Sequence, residues 1–255
     1  MGLEFVRDGE VGRLTFTRPE KKNAITYEMW SAIPRLVAEV ERDPGVKVLV
    51  LTGAGGDFSA GADIGEFGSL RSTAEGATTY DKAVEGAVSA LTGLRKPSIA
   101  MIRGNCIGGG CQLAVACDFR FAAPEARFGI TPAKLGIVYD FPSTRQLVEL
   151  VGPAHARYFL LSGLLVNAAR AREIGLVNDV FADVESEVDS FARTLCSRSQ
   201  SSIRGMNRII EKILAGQGEA DAEVDEIRAA AVHGEDYAEG VAAFLERRPP
   251  RFSYR

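Results

Sequence analysis

The run VKVLVLTG, residues 46–53, constrains the fold more than any other stretch of the chain. Apolar and mostly β-branched side chains follow one another there without the polar alternation of a half-solvated strand. Such a strand must be covered on both faces, the condition of inner strands in a parallel sheet with helices on either side. PSIAMIRG (97–104) and FRFAA (119–123) have the same character, whereas VGRLTFT (11–17) alternates apolar and polar. Between the first two strands, TYEMWSAIPRLVAEVERD places Met29, Ile33, Leu36, Val37 and Val40 at helical spacing, with Thr26 as the N-cap. The order strand, helix, strand, helix, strand, helix, strand belongs to an α/β fold built from crossover units stacked on a sheet.

After Pro142 the strand signals fade. STRQLVELVG, PAHARYFLLSG and NAARAREIG read as helices, with starts at Pro153 and Asn167, followed by a short LVNDVFA and long amphipathic segments from Val184 to Ala231. This tail is expected to be a helical cap or assembly region. With 255 residues, 46% of them hydrophobic, the chain can bury one substantial core. A formal charge of -4, with basic residues spread along the whole length, leaves no stripe for nucleic acid. The first residues lack a long apolar run, so no signal peptide or membrane span is expected, and the cytoplasm is the expected compartment.

Cys106, Cys111, Cys117 and Cys196 have no C-x-x-C spacing, and His155 and His233 lie far from them. No metal site is expected, and the thiols read as buried structural groups. Two distant histidines also give a Ser-His-Asp triad little support. DFSAG has Asp57 where a nucleophile elbow needs its first glycine. In LVLTGAGGDFSAGADI, Gly53 and Gly55 fit the start of a dinucleotide fingerprint, but Phe58 takes the third glycine position and no Walker lysine follows.

CIGGGCQLAVACDF (106–119) is different. Gly108, Gly109 and Gly110 enter an apolar helix, with no charge between Arg103 and Asp118. Bare N–H groups at such an entrance can serve as half of an oxyanion hole, and close helix packing would equally call for glycine.

RPEKKNAI, FSAGADI, CIGGGCQLAVACDFRFAAPEARFGI, LVGPAHARYFLLSG, AREIGLVNDV and EDYAEGVAAFLERRPPRF, in that order, resemble the crotonase (enoyl-CoA hydratase/isomerase) superfamily along nearly the whole chain. The resemblance implies a spiral of strand-strand-helix units over residues 1–195 and a C-terminal helical trimerisation region over 196–255. It implies an acyl-CoA substrate, with coenzyme A entering only as part of it and no separate cofactor, and a homotrimer or dimer of trimers. The thioester oxygen is then expected between the N–H groups of Ala62 and Gly109.

The two glutamates of the family's hydratases map to Gln112 and Pro132, neither of which exchanges a proton usefully. Tyr139, in TPAKLGIVYD, matches the tyrosine of methylmalonyl-CoA decarboxylases, and Asp140 matches the base of dienoyl-CoA isomerases and the nucleophile of aroyl-CoA dehalogenases. The expected activity is loss of carbon dioxide from a malonyl- or methylmalonyl-type thioester, a lyase reaction that needs a held enolate and no general base. One alternative is an enoyl-CoA isomerase or hydratase with Asp140 as base, and another is a silent acyl-CoA-binding homologue. Each residue also has a plainer role: Tyr139 as packing, Asp140 as a helix N-cap, Gln112 as a substrate anchor. The resemblance further implies coenzyme A phosphates near Lys22, adenine near the backbone of Ala24 and Ala60, and contacts from Phe244 and Arg247. Lys21 and Lys22 would otherwise be an ordinary solvated turn.

Overall fold

The computed structural model describes residues 2–253. Among the described residues nine strands form two sheets. The larger contains β1 (Leu3–Asp8), β2 (Val11–Phe16), β3 (Val48–Gly53) and β4 (Ser98–Ile102), then β6 (Phe119–Ala122) and β9 (Asp179–Val180), in the order β1-β2-β3-β4-β6-β9. Its first pair is an antiparallel hairpin and the rest is parallel. The smaller contains β5 (Asn105–Ile107), β7 (Arg127–Gly129) and β8 (Val166–Asn167), in the order β5-β7-β8.

The helices are α1 (Tyr27–Arg42), α2 (Phe67–Leu70), α3 (Ala74–Thr92), α4 (Gly109–Val115), α5 (Phe141–Ser162), α6 (Ala168–Glu173), α7 (Val184–Cys196), α8 (Gln200–Leu214), α9 (Ala222–His233) and α10 (Glu235–Glu246). Every residue of β3 and β4 is buried, as their unbroken apolar runs require. One face of the sheet joins α1, α3 and α4 in the main core, where Leu49, Leu51 and Ala100 meet Trp30, Ile33, Leu91 and Leu113. On the other face Val48, Val50, Ile99 and Met101 pack against Val184, Val188 and Ala192 of α7.

The helix starts follow the capping residues. Thr26 Oγ1 accepts from Met29 N at 3.2 Å, and Asn167 Oδ1 accepts from Arg170 N at 2.9 Å. All four cysteines are free and buried. Among the described residues no helix is long and apolar enough to cross a membrane.

Some elements differ from the sequence reading. The second sheet is absent from it, because β5 and β7 have three residues each and β8 two, too few to display a period. The stretch after Pro142 is not purely helical, since LVNDVFA contributes β9 to the edge of the large sheet beside Phe121 and Ala122. The helix start expected at Pro153 is present: residues 141–162 are two helical segments meeting at Gly152, whose φ of 76° and ψ of 162° break the helix.

Thr26→Ala should lower global stability by about 1 kcal/mol while Thr26→Ser changes it little, as measured by urea unfolding, because the substitution orphans one N–H at the start of α1.

Candidate functional site

A cavity of about 570 Å³ opens where α4, the segment 60–62, α2, α3 and the turn 131–140 converge. Of the residues singled out from sequence, Ala60, Ala62, Gly109, Gln112, Pro132, Tyr139 and Asp140 all line it.

The Ala62 segment is positioned by a short parallel ladder. Ile25 donates to Gly61 O and accepts from Asp63 N, both at 2.8 Å, pairing residue 25 with Ala62. Parallel pairing uses the groups flanking Ala62 and turns its own N–H to the opposite side. Gly109 is the first residue of α4, where an N–H has no acceptor within the helix. Among the described residues no acceptor takes either N–H. The two segments touch: a Cβ on Gly61 would stand 3.3 Å from Gly109 N, and one on Gly109 would stand 3.8 Å from Ala62 N.

The three glycines have three separate physical causes. Gly108 has φ 52° and ψ −122°, a conformation that side chains disfavour. A Cβ on Gly109 would lie 2.7 Å from Trp30 Cζ2, and one on Gly110 would lie 2.7 Å from Ser59 Cβ. The packing reason and the exposed N–H coincide at Gly109. Trp30, fully buried on α1, was missed as a site residue, because the helical period of α1 does not show which ring fills the space a distant glycine leaves.

On the other side of the cavity Gln112, three residues after Gly109 and on the same helical face, is buried. Its Nε2 donates to Asp140 Oδ2 at 3.0 Å and to Ser143 Oγ. Asp140 Oδ1 accepts from Ser143 N at 2.8 Å, so Asp140 is the N-cap of α5 and also borders the cavity. The N-cap reading of that residue is borne out, and the capping geometry leaves its carboxylate at the edge of the cavity. Each carboxylate oxygen retains a second lone pair for a proton.

Tyr139 differs. It borders the cavity, but its hydroxyl is closed to solvent and has no hydrogen-bond partner among the described residues. Burial, then the nearby Cys111 and Asp140, push the phenol well above its ordinary pKa and hold it neutral. Pro132 borders the cavity with no ionisable group.

The basic loop lies beside this cavity. Ala60 N donates to Lys22 O at 2.8 Å, which joins RPEKKNAI to FSAGADI. Lys22 and Asn23 have φ of 50° and 55°. The loop is held by buried Asn23, whose Nδ2 donates to Ala54 O at 2.9 Å and Asp57 O at 2.6 Å, and by Arg18, which donates to Ala24 O at 2.7 Å and pairs with Asp63 at 2.8 Å. Asn23 was not singled out in the sequence, although asparagine is a usual choice where φ is positive. Phe244 and Arg247 are not among the residues bordering this cavity. They lie at the end of α10, where Phe244 borders a separate hollow with Asp236, Val241 and Leu245.

Residues 7–255 match the family model for enoyl-CoA hydratase/isomerase. The chain is 34% identical to a crotonyl-CoA hydratase of Syntrophomonas wolfei, over 96% of this chain and 95% of that one. It is 28% identical to the peroxisomal Delta(3,5)-Delta(2,4)-dienoyl-CoA isomerase of Arabidopsis thaliana, over 98% of this chain and 96% of that protein. The crystal structure of an enoyl-CoA hydratase/carnithine racemase from Magnetospirillum magneticum superposes with a TM-score of 0.95 at 33% identity, covering 100% of this chain and 96% of the other.

Gly109→Ala should cost about 1–3 kcal/mol in urea unfolding, as overpacking against a rigid ring does. Trp30→Leu in the same chain should recover part of that loss, whereas additive losses would show that the ring contact is not the cause.

Proposed function

The chain belongs to the enoyl-CoA hydratase/isomerase family, and from that premise we propose that it is an enoyl-CoA isomerase in which Asp140 moves the proton. The observation carrying this reading is the Gln112 Nε2 to Asp140 Oδ2 hydrogen bond, which ties a carboxylate to the helix that begins with the Gly109 N–H.

In the proposed reaction the thioester oxygen of a 3-enoyl substrate accepts from Ala62 N–H and Gly109 N–H. Asp140 removes a proton from the α-carbon, and the electron pair moves onto that oxygen to give a dienolate. Two buried donors aimed at such an oxygen are worth on the order of several kcal/mol in the transition state. Asp140 then returns the proton to the γ-carbon, and the double bond moves into conjugation. One carboxylate suffices because the group that takes a proton from the α-carbon can give one to the γ-carbon, exchanging with solvent in part between the two steps. Hydration would need an activated water as well as a proton donor to carbon, and neither Gln112 nor Pro132 exchanges protons.

The names of the relatives support hydratase or isomerase chemistry and lend no support to the malonyl- or methylmalonyl-type decarboxylation expected from Tyr139. The closed position of the Tyr139 hydroxyl also argues against its touching a carboxylate in the cavity.

Coenzyme A is proposed to lie along the loop of Lys22 and Ala24 beside Ala60. Phe244 and Arg247 are proposed to reach it on the same or a neighbouring subunit. The exposed Phe244 (84%) and Leu245 (75%) at the end of α10 support a homotrimer or dimer of trimers. Light scattering should then give a trimer or hexamer mass, and a monomer at micromolar concentration would exclude it.

With a 3-enoyl-CoA in deuterated water, the parent enzyme should yield the 2-enoyl isomer with partial deuterium at the γ-carbon. Asp140→Asn should slow this about 10²–10⁴-fold. Hydration of crotonyl-CoA exceeding isomerisation, or an active Asp140→Asn variant, would overturn the assignment.

A further inference from the structure

One wall of the cavity holds a cation that the proposed proton transfer does not use. α2 and the start of α3 bring Phe67, Arg71, Tyr80 and Asp81 together there. The Arg71 guanidinium carbon lies 5.1 Å from the centroid of the Phe67 ring and 5.2 Å from that of Tyr80, and Tyr80 is buried. Arg71 Nη1 also donates to Asp81 Oδ1 at 2.5 Å.

The two ion-pair partners are held unequally. The Arg71 side chain is 17% exposed and the Asp81 side chain 52%. Contact with two rings fixes the guanidinium, whereas a half-exposed carboxylate gains little from the pair and turns away at little cost. A guanidinium carries five N–H donors in a fixed fork, and Asp81 takes one of them. The same cavity is lined by Val84, Leu135, Ile137 and Val138, and it also holds Glu85 and a second cation, Lys134. Of the two cations, Arg71 is the one clamped between rings, and its fork is the one whose planar geometry matches a carboxylate at the end of an acyl chain lying there.

We propose that Arg71 reads the end of the acyl chain, and that the substrate is a short coenzyme A thioester whose acyl group ends in a carboxylate. The substrate carboxylate takes the guanidinium over from Asp81, which turns to solvent. This rests on the acyl-CoA reading given above and not on the isomerase step.

Binding of saturated thioesters tests it without any turnover. By calorimetry, glutaryl-CoA should bind the parent protein about tenfold more tightly than pentanoyl-CoA, the scale of one added charge-assisted contact. Arg71→Gln should remove that difference and leave pentanoyl-CoA binding within about twofold, while Asp81→Asn, which frees the fork, should widen it. Equal binding of the two thioesters by the parent, equal weakening of both by Arg71→Gln, or no gain from Asp81→Asn would overturn the proposal. Failure of both thioesters to bind would overturn the acyl-CoA reading, and this inference with it. A failed isomerase assay leaves the binding comparison intact.

Discussion

The cavity depends on the fit of one indole ring against one glycine. Trp30 fills the volume that a side chain at residue 109 would need, and this contact locks α1 to the first turn of α4. Both helices lie on the same face of the large sheet, anchored by β3 and β4, so the contact fixes the start of α4 relative to the whole core. The far end of α4 is fixed differently. The buried Arg120 donates from Nη1 to Cys117 O and from Nε to Leu176 O at 2.9 Å, placing a cation near the helix C-terminus, where the helix dipole favours it. A rigid α4 carries both the Gly109 N–H and the Gln112 amide, so neither can drift relative to the other.

The sheet was legible because its inner strands are apolar on both sides. Side chains of β3 and β4 have no solvent face to supply polar alternation, and no other secondary structure accounts for runs so short and so rich in branched residues. The Thr26 and Asn167 caps were legible for a similarly local reason, since a cap is decided within one turn. The second sheet was hidden because β5, β7 and β8 are only two or three residues long, and their pairings, Asn105 beside Arg127 and Arg127 beside Asn167, leave no local period to read.

The site divides along the same line. Gly109, Gln112 and Asp140 were visible through resemblance, yet the bond from Gln112 to Asp140 spans 28 positions and appears only in three dimensions. Trp30, Asn23 and Arg71 were not singled out, because each acts by filling or clamping a space made by other segments. Tyr139 shows the reverse limit: its place in the sequence drew attention, and only the buried position of its hydroxyl shows how closed that group is.

The bond from Ala60 N to Lys22 O, followed by the ladder from Ile25 to Gly61 and Asp63, makes the basic loop and the Ala62 segment one mechanical piece. A pull on Lys22 or Ala24 is passed through 2.8 Å hydrogen bonds to the residues on either side of Ala62. If coenzyme A grips this loop as proposed, the same hydrogen bonds would hold the Ala62 N–H in register with it, and attraction at a remote handle would be converted into alignment where charge develops. A fragment lacking that handle would lose turnover as well as affinity, because the lever that sets the donor would have nothing to hold.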